Sequence, residues 1–316
     1  MEESRCRPQT DGFQCGESIE VDGAVKSVIF QCNLNDGKHL EFICREPSCG
    51  ALEGGEEGVT LTDEDYTIDP NFFDQGYSMA GKTGFKVWSG SRILIESLTW
   101  PQPDSDCSKL TVLQNRITAG ARIIELGAGV GLVGTYLSAV GAQVLVTDLP
   151  TLVENAIDVN LMRNKSTTRG ETCPAWLEPD GYKIKNGWAN SASLDWTCPL
   201  DEQLAQNQSQ SVDLIVASDV IFLVEMLHSL LDTVAAIFHA SAANNPSFIL
   251  TFQRRDAKDG EESQAFTTVN SFFAAVKERG WSLDCLAWRP LSVNKERDDG
   301  NLAKEETEVY VFEVKP

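Results

Sequence analysis

The stretch RIIELGAGVG, Arg122–Gly131, decides the fold. An apolar run carrying one acid, Glu125, gives way to glycines at 127, 129 and 131, and a helical segment opens near Leu132. Glycine permits a sharp turn and a close backbone approach to a ligand, and the helix start offers free N–H groups to a carboxylate or phosphate. The next apolar run, Gln143 to Thr147, ends at Asp148, where an acid takes both hydroxyls of a ribose in nucleotide-binding βαβ units. A dinucleotide fingerprint needs a third glycine where this chain has Leu132, with Gly131 one residue early, so NAD is disfavoured. Glu125, two residues before the first glycine, would repel a pyrophosphate and suits a ligand with a positive amino group. S-adenosylmethionine has an ammonium, a sulfonium and a ribose, and fits that pattern.

The chain has 316 residues, 42% hydrophobic and 23% charged, enough for one large core and an appendage. Its longest nearly apolar run, Leu214 to Met226, contains Asp219 and Glu225 and falls short of the ~20 residues of a membrane span, so no membrane partner is expected. The start MEESRCRPQT lacks the apolar core of a signal peptide, which sets the expectation of a cytoplasmic or nuclear setting. Nine irregularly spaced cysteines read as thiols. Cys44 and Cys49, with Cys32 across a hairpin, lack a histidine to complete a tetrahedral set, so no metal is expected. A net charge of −21 opposes a nucleic-acid partner and steers a basic, lysine-bearing protein toward the surface. Acidic runs such as Glu53 to Glu57 also serve solubility. A monomer is expected.

Residues 1–84 read as an appendage and 85–316 as one α/β domain. In the appendage, Val25 to Leu34 and Leu40 to Cys44 flank Asn35-Asp36-Gly37, a hairpin signal, and a mobile loop is expected from Gly50 to Gly58. A helix follows from Ser91 to Leu98, entered through GFKVWSGS. Beyond Asp148, helical spacing over Leu152 to Met162 sets Val153, Ala156, Val159 and Asn160 near one face. The polar insert Asn164 to Gly187 reads as a mobile surface loop or lid. A buried strand from Val212 (VDLIVASDVIF), a helix through Leu227, Leu230, Leu231, Val234 and Phe238, and a strand Phe248 to Phe252 follow. Phe266, Val269, Phe273 and Val276 mark another helix, stopped by Gly280. Trp281 to Trp288 and Glu308 to Val314 predict a closing antiparallel hairpin. The predicted fold is α/β and three-layered, a seven-stranded, mostly parallel sheet with an antiparallel last strand.

This pattern resembles the seven-stranded S-adenosylmethionine-dependent methyltransferases. VWSGS at 87–91, ELGAGVGLVG at 125–134, TDLP at 147–150, LDW at 194–196 and SDVIF at 218–222 resemble, in that order, the family-16 protein lysine methyltransferases of the methyltransferase-like 21 group. The resemblance covers roughly residues 85–316. It implies that Trp88 closes over the methionine end of S-adenosylmethionine, that Gly127, Ala128 and Gly129 cradle the cofactor, and that Asp148 holds its ribose. It also sets Trp196 beside the adenine and Ser218 beneath the cofactor. Asp219 and Phe222 match the family's D-x-x-Y/F motif at the substrate-lysine site, with Asp219 as a docking group. Without a hydroxyl, Phe222 can only wall a channel. The substrate implied is a protein lysine, with chaperones and translation factors among family targets. Structural alternatives stand beside these roles: Trp88 and Trp196 as core packing, and Asp219 as a cap on the next helix. A small-molecule methyltransferase and a non-catalytic adaptor retaining the fold remain as alternative functions.

Overall fold

A computed structural model describes residues 13–21, 25–34, 37–45, 60–61, 83–100, 108–166, 172–198, 202–203, 211–254, 266–296 and 302–316. The parallel heart of the sheet is β5 (Arg122–Leu126), β6 (Gln143–Asp148), β8 (Gly187–Ser193), β9 (Leu214–Ser218) and β10 (Ser247–Gln253). The long hairpin β11 (Ser282–Glu296) and β12 (Leu302–Lys315) closes it, β12 lying antiparallel between β10 and β11. In space the order of these seven strands is β8-β6-β5-β9-β10-β12-β11, and the mostly parallel run with an antiparallel last strand agrees with the expectation from the sequence. Two short strands extend the edges: β4 (Thr60–Leu61) beside β11 and β7 (Tyr182–Ile184) beside β8.

Alternation along the strands builds two cores. Ile123 faces one side with α1 (Ser89–Thr99), α2 (Ser108–Thr118) and α3 (Leu132–Val140), while Ile124 and Leu126 face the other with α6 (Val224–Ala240) and α7 (Val269–Glu278). Gly187 opens β8 against the end of α3, where a methyl group would run into the carbonyl oxygens of Ala142 and Ser138. Gly187→Ala is therefore expected to destabilise the fold by about 1–3 kcal/mol, measured as a lowered midpoint in denaturant unfolding.

The appendage is a three-stranded antiparallel sheet, and its first strand, β1 (Phe13–Val21), was not anticipated. β2 (Val25–Asn33) and β3 (His39–Arg45) form the expected hairpin, with Gly37 at φ 79°. Asn35, Asp36 and the loop expected at Gly50 to Gly58 lie outside the described residues, as does Cys49. Phe30, Leu40 and Phe42 join the α1–α3 core, so the appendage shares the domain's interior. Cys32 and Cys44 are buried free thiols. Two asparagines one helical turn apart on α5 (Asp158–Asn164) treat β3 as a neighbouring strand: Asn160 bonds both Ile43 N and O, and Asn164 both Glu41 N and O. Asn160 also donates to Val130 O in the glycine loop.

Several sequence expectations change. The segment after β6 is not one regular helix: α4 (Pro150–Leu152) passes through a π-helical turn (Val153–Ile157) into α5, and the shifted phase leaves Val159 41% exposed. α7 begins at Val269 behind a Thr268–Ser271 capping box, which leaves Phe266 outside the helix and Phe273 on its exposed side. The described part of the 164–187 insert is an ordered edge. It carries a 3₁₀ turn (Ala175–Leu177) and β7, and Trp176 Nε1 donates to Gln143 Oε1 at 2.7 Å. No described helix is long and apolar enough to cross a membrane.

Candidate active site

A cavity of about 360 Å³ opens at the carboxyl ends of β5, β6 and β9, where the strand order reverses direction and α/β sheets bind ligands. Its floor is the glycine loop. Gly127, Gly129 and Gly131 all have positive φ (64°, 58° and 76°), so the alternating glycines are a conformational requirement. At Gly127 a Cβ would lie 2.6 Å from Val220 Cγ1 and 3.1 Å from Trp196, so space as well as φ demands glycine. Asp148 pins the loop from the end of β6: Oδ2 accepts from Gly129 N at 2.8 Å and Oδ1 from Leu149 N at 2.7 Å. Burial pushes the Asp148 pKa up, and those two amides partly oppose the shift.

Of the ten residues singled out from the sequence, nine line this cavity: Trp88, Gly127, Ala128, Gly129, Asp148, Trp196, Ser218, Asp219 and Phe222. Glu125 does not. Its side chain turns beneath the floor, where Oε2 accepts from Gly134 N at 2.8 Å and only 1% of the residue is exposed. Burial, opposed by the Gly134 amide and reinforced by the Asp148 charge, raises its pKa to about 8. Burial thus favours its protonated form, and its place beneath the floor, outside the cavity lining, differs from the expectation of a carboxylate facing a ligand ammonium.

The roof is the segment leading into α1. Trp88 Nε1 donates to Thr83 O at 3.0 Å and closes the segment into a compact strap. Trp196 lies across the cavity with its Nε1 buried and without a hydrogen-bond partner. Its neighbour Asp195 also lines the space. Burial draws the Asp195 pKa upward, but hydrogen bonds from Thr197 and Cys198 outweigh it and hold the group below the usual carboxylate range. Ser218 ends β9 and Asp219 follows it, 6% exposed.

The far end of the cavity contains residues that sequence reasoning missed: Leu223, Glu225, Met226 and Phe266 join Phe222 there. Phe266 arrives by an antiparallel bridge to Leu223, backed by Thr267 N donating to Phe222 O at 2.8 Å. Its apolar spacing with Val269 had disguised it as helix. Among the described residues no cluster of histidine, cysteine and carboxylate could hold a metal.

Fold and crevice together define the class I methyltransferase architecture. A family model described as lysine methyltransferase matches residues 74–272, and the chain belongs to that family. Protein-lysine methyltransferase METTL21E of Bos taurus is 31% identical over 138 residues, 43% of this chain and 41% of the relative. EEF1A lysine methyltransferase 3 of Mus musculus is 27% identical over 175 residues, 55% of this chain and 63% of the relative. The chain thus spans well under two thirds of the METTL21E length it matches. Among solved structures, magnesium protoporphyrin IX methyltransferase of Synechocystis with bound SAH overlaps at a TM-score of 0.39 and 14% identity, covering 77% of this chain and 90% of that one. Strand order, not that overlap, defines the fold class.

Proposed function

We propose that the protein methylates the ε-amine of a lysine in a protein substrate, with S-adenosylmethionine as donor. The observation that carries this reading is one cavity joining a glycine floor, the half-buried carboxylate of Asp148 and an indole to an apolar exit at Phe222, Met226 and Phe266. The residues present fit the cofactor. A volume of about 360 Å³ is that of a small-ligand pocket. Asp148 uses one lone pair per oxygen on backbone amides, and a carboxylate offers about four acceptor sites, so both ribose hydroxyls can be taken as well. The buried, unpartnered Trp196 Nε1 offers a donor, and its ring a stacking face for a base.

When bound, S-adenosylmethionine supplies an electrophilic methyl group, and the acceptor nitrogen must present a lone pair in line with the breaking bond. Phe222, Leu223, Met226 and Phe266 supply an apolar wall that excludes water from the acceptor and favours its neutral form. Neutralising a lysine at pH 7 costs on the order of 4.6 kcal/mol, whereas a held near-attack geometry contributes roughly 7–11 kcal/mol. Orientation therefore outweighs deprotonation, and a strong base is unnecessary. Glu225, exposed at the cavity end, attracts the arriving ammonium, and the proton leaves to water at that mouth. The net charge of −21 reinforces the attraction of a basic substrate. Free thiols at Cys32, Cys44 and Cys173 support a reducing, cytosolic setting. The name of one relative makes EEF1A the first substrate to test.

Incubation with methyl-labelled cofactor and a whole-cell extract is expected to label a protein at lysine. Label in a lipid or metabolite with no labelled protein would overturn the proposal.

A further inference from the structure

We infer that Asp219 is a positioning residue: it latches the end of β9 to the start of α1 and so holds the Thr83–Trp88 strap over the cavity. The inference rests on the cavity being the cofactor site. α1 starts at Ser89, and its N-cap residue Trp88 offers no side-chain bond to the free amides of the first turn. Asp219 supplies that bond from 129 residues away, Oδ2 accepting from Gly90 N at 2.7 Å in a buried position. The carboxylate also sits at the positive end of the helix dipole. Gly90 is part of the device, because any Cβ there would overlap the carboxylate.

Three further observations make the contact a latch and not an ordinary cap. The adjacent residues pair too: Ser218 Oγ lies 2.9 Å from Ser91 Oγ, so residues 218 and 219 grip 91 and 90. Asp219 has φ 54°, a left-handed conformation that aspartate tolerates better than most residues and that the surrounding fold must hold. At its other end the strap rests on the glycine loop, where a Cβ on Gly129 would lie 2.8 Å from Gly84 O. Trp88 therefore sits between two anchors, one on β9 and one on the cofactor floor. Because Phe222 lies three residues after Asp219 in the segment joining β9 to α6, the latch also ties the acceptor wall to the roof. Asp219 then acts through the strap, not by docking the substrate amine.

The test compares Asp219→Gly with Asp219→Asn. Glycine suits the positive φ and removes the latch without backbone strain, whereas asparagine tolerates that φ and keeps an acceptor oxygen. In the protein without ligand, Asp219→Gly is expected to speed amide exchange at Gly90 by about tenfold or more. By calorimetry it is expected to weaken S-adenosylmethionine binding by a similar factor, with the acceptor KM little changed. Asparagine should recover most of both losses, and Gly90→Ala, made from the other side, should reproduce the glycine phenotype. The proposal is overturned if Gly90 exchange is unchanged in Asp219→Gly, or if Asp219→Asn raises the acceptor KM about tenfold at constant cofactor affinity. The exchange measurement needs no cofactor, so it decides the latch separately from the cofactor reading.

Discussion

Asp148→Ala is expected to weaken S-adenosylmethionine binding by at least about a hundredfold while leaving the protein folded. Two effects act together. The alanine cannot accept from the ribose hydroxyls, and hydrogen bonds to a charged acceptor contribute roughly 1.5–3 kcal/mol each, so losing two corresponds to about 10²–10⁴ in affinity. It also frees Gly129 N and Leu149 N, which the carboxylate holds at 2.8 and 2.7 Å, and so loosens the floor. Both amides border an open cavity where water can replace the lost acceptor, which limits the cost to stability. Asp148→Asn should lie between, since its one oxygen cannot serve all four donors and its amide group faces one of the two backbone N–H groups. Calorimetric titration of the three proteins checks the series. Wild-type affinity in Asp148→Ala would remove the residue from the cofactor site.

The parts of the site that could be read from sequence are those whose cause is local. Three glycines at alternate positions are needed because φ is positive at 127, 129 and 131, and that requirement is written in the residues themselves. The mostly parallel sheet followed from alternating βαβ units for the same reason, each unit carrying its own apolar period. Where a side chain points depends instead on packing from elsewhere. Glu125 was set facing a ligand because an acid two residues before the first glycine suits a positive amino group, yet its side chain enters the space left by Gly134, where a Cβ would lie 2.5 Å from Glu125 Oε2. That glycine, inside an otherwise good helix, was the signal available. Glu225 and Met226 reach the cavity only because α6 starts at its rim. Phe266 matched a helical period by chance, although Thr268 and Ser271 already marked the helix start behind it. β1 was missed because its place depends on pairing with β2 across a bulge between Cys15 and Ser18, which breaks the two-residue period.

Glu125 makes its own contribution to how stability depends on pH. In the unfolded chain its pKa is that of an ordinary carboxylate near 4.5, and in the fold burial raises it to about 8. The folded state therefore holds the proton more tightly, so the contribution is fully present below pH 4.5 and is lost as pH rises through about 8. Ionising the group in the fold places a charge in a dry site beside a second carboxylate, Asp148, with the Gly134 amide as partial compensation. Integrated between about pH 5 and 9, the loss is on the order of 4 kcal/mol. Glu125→Gln removes the titration and keeps an oxygen to accept from Gly134 N. Its stability should fall much less over that range, so that it overtakes the wild type at alkaline pH. Other carboxylates are common to both proteins, so the difference between their denaturant midpoints at each pH isolates this one group. Parallel curves from pH 5 to 9 would show that Glu125 is already ionised in the folded protein, and would return it to the role of a charged neighbour of the ligand.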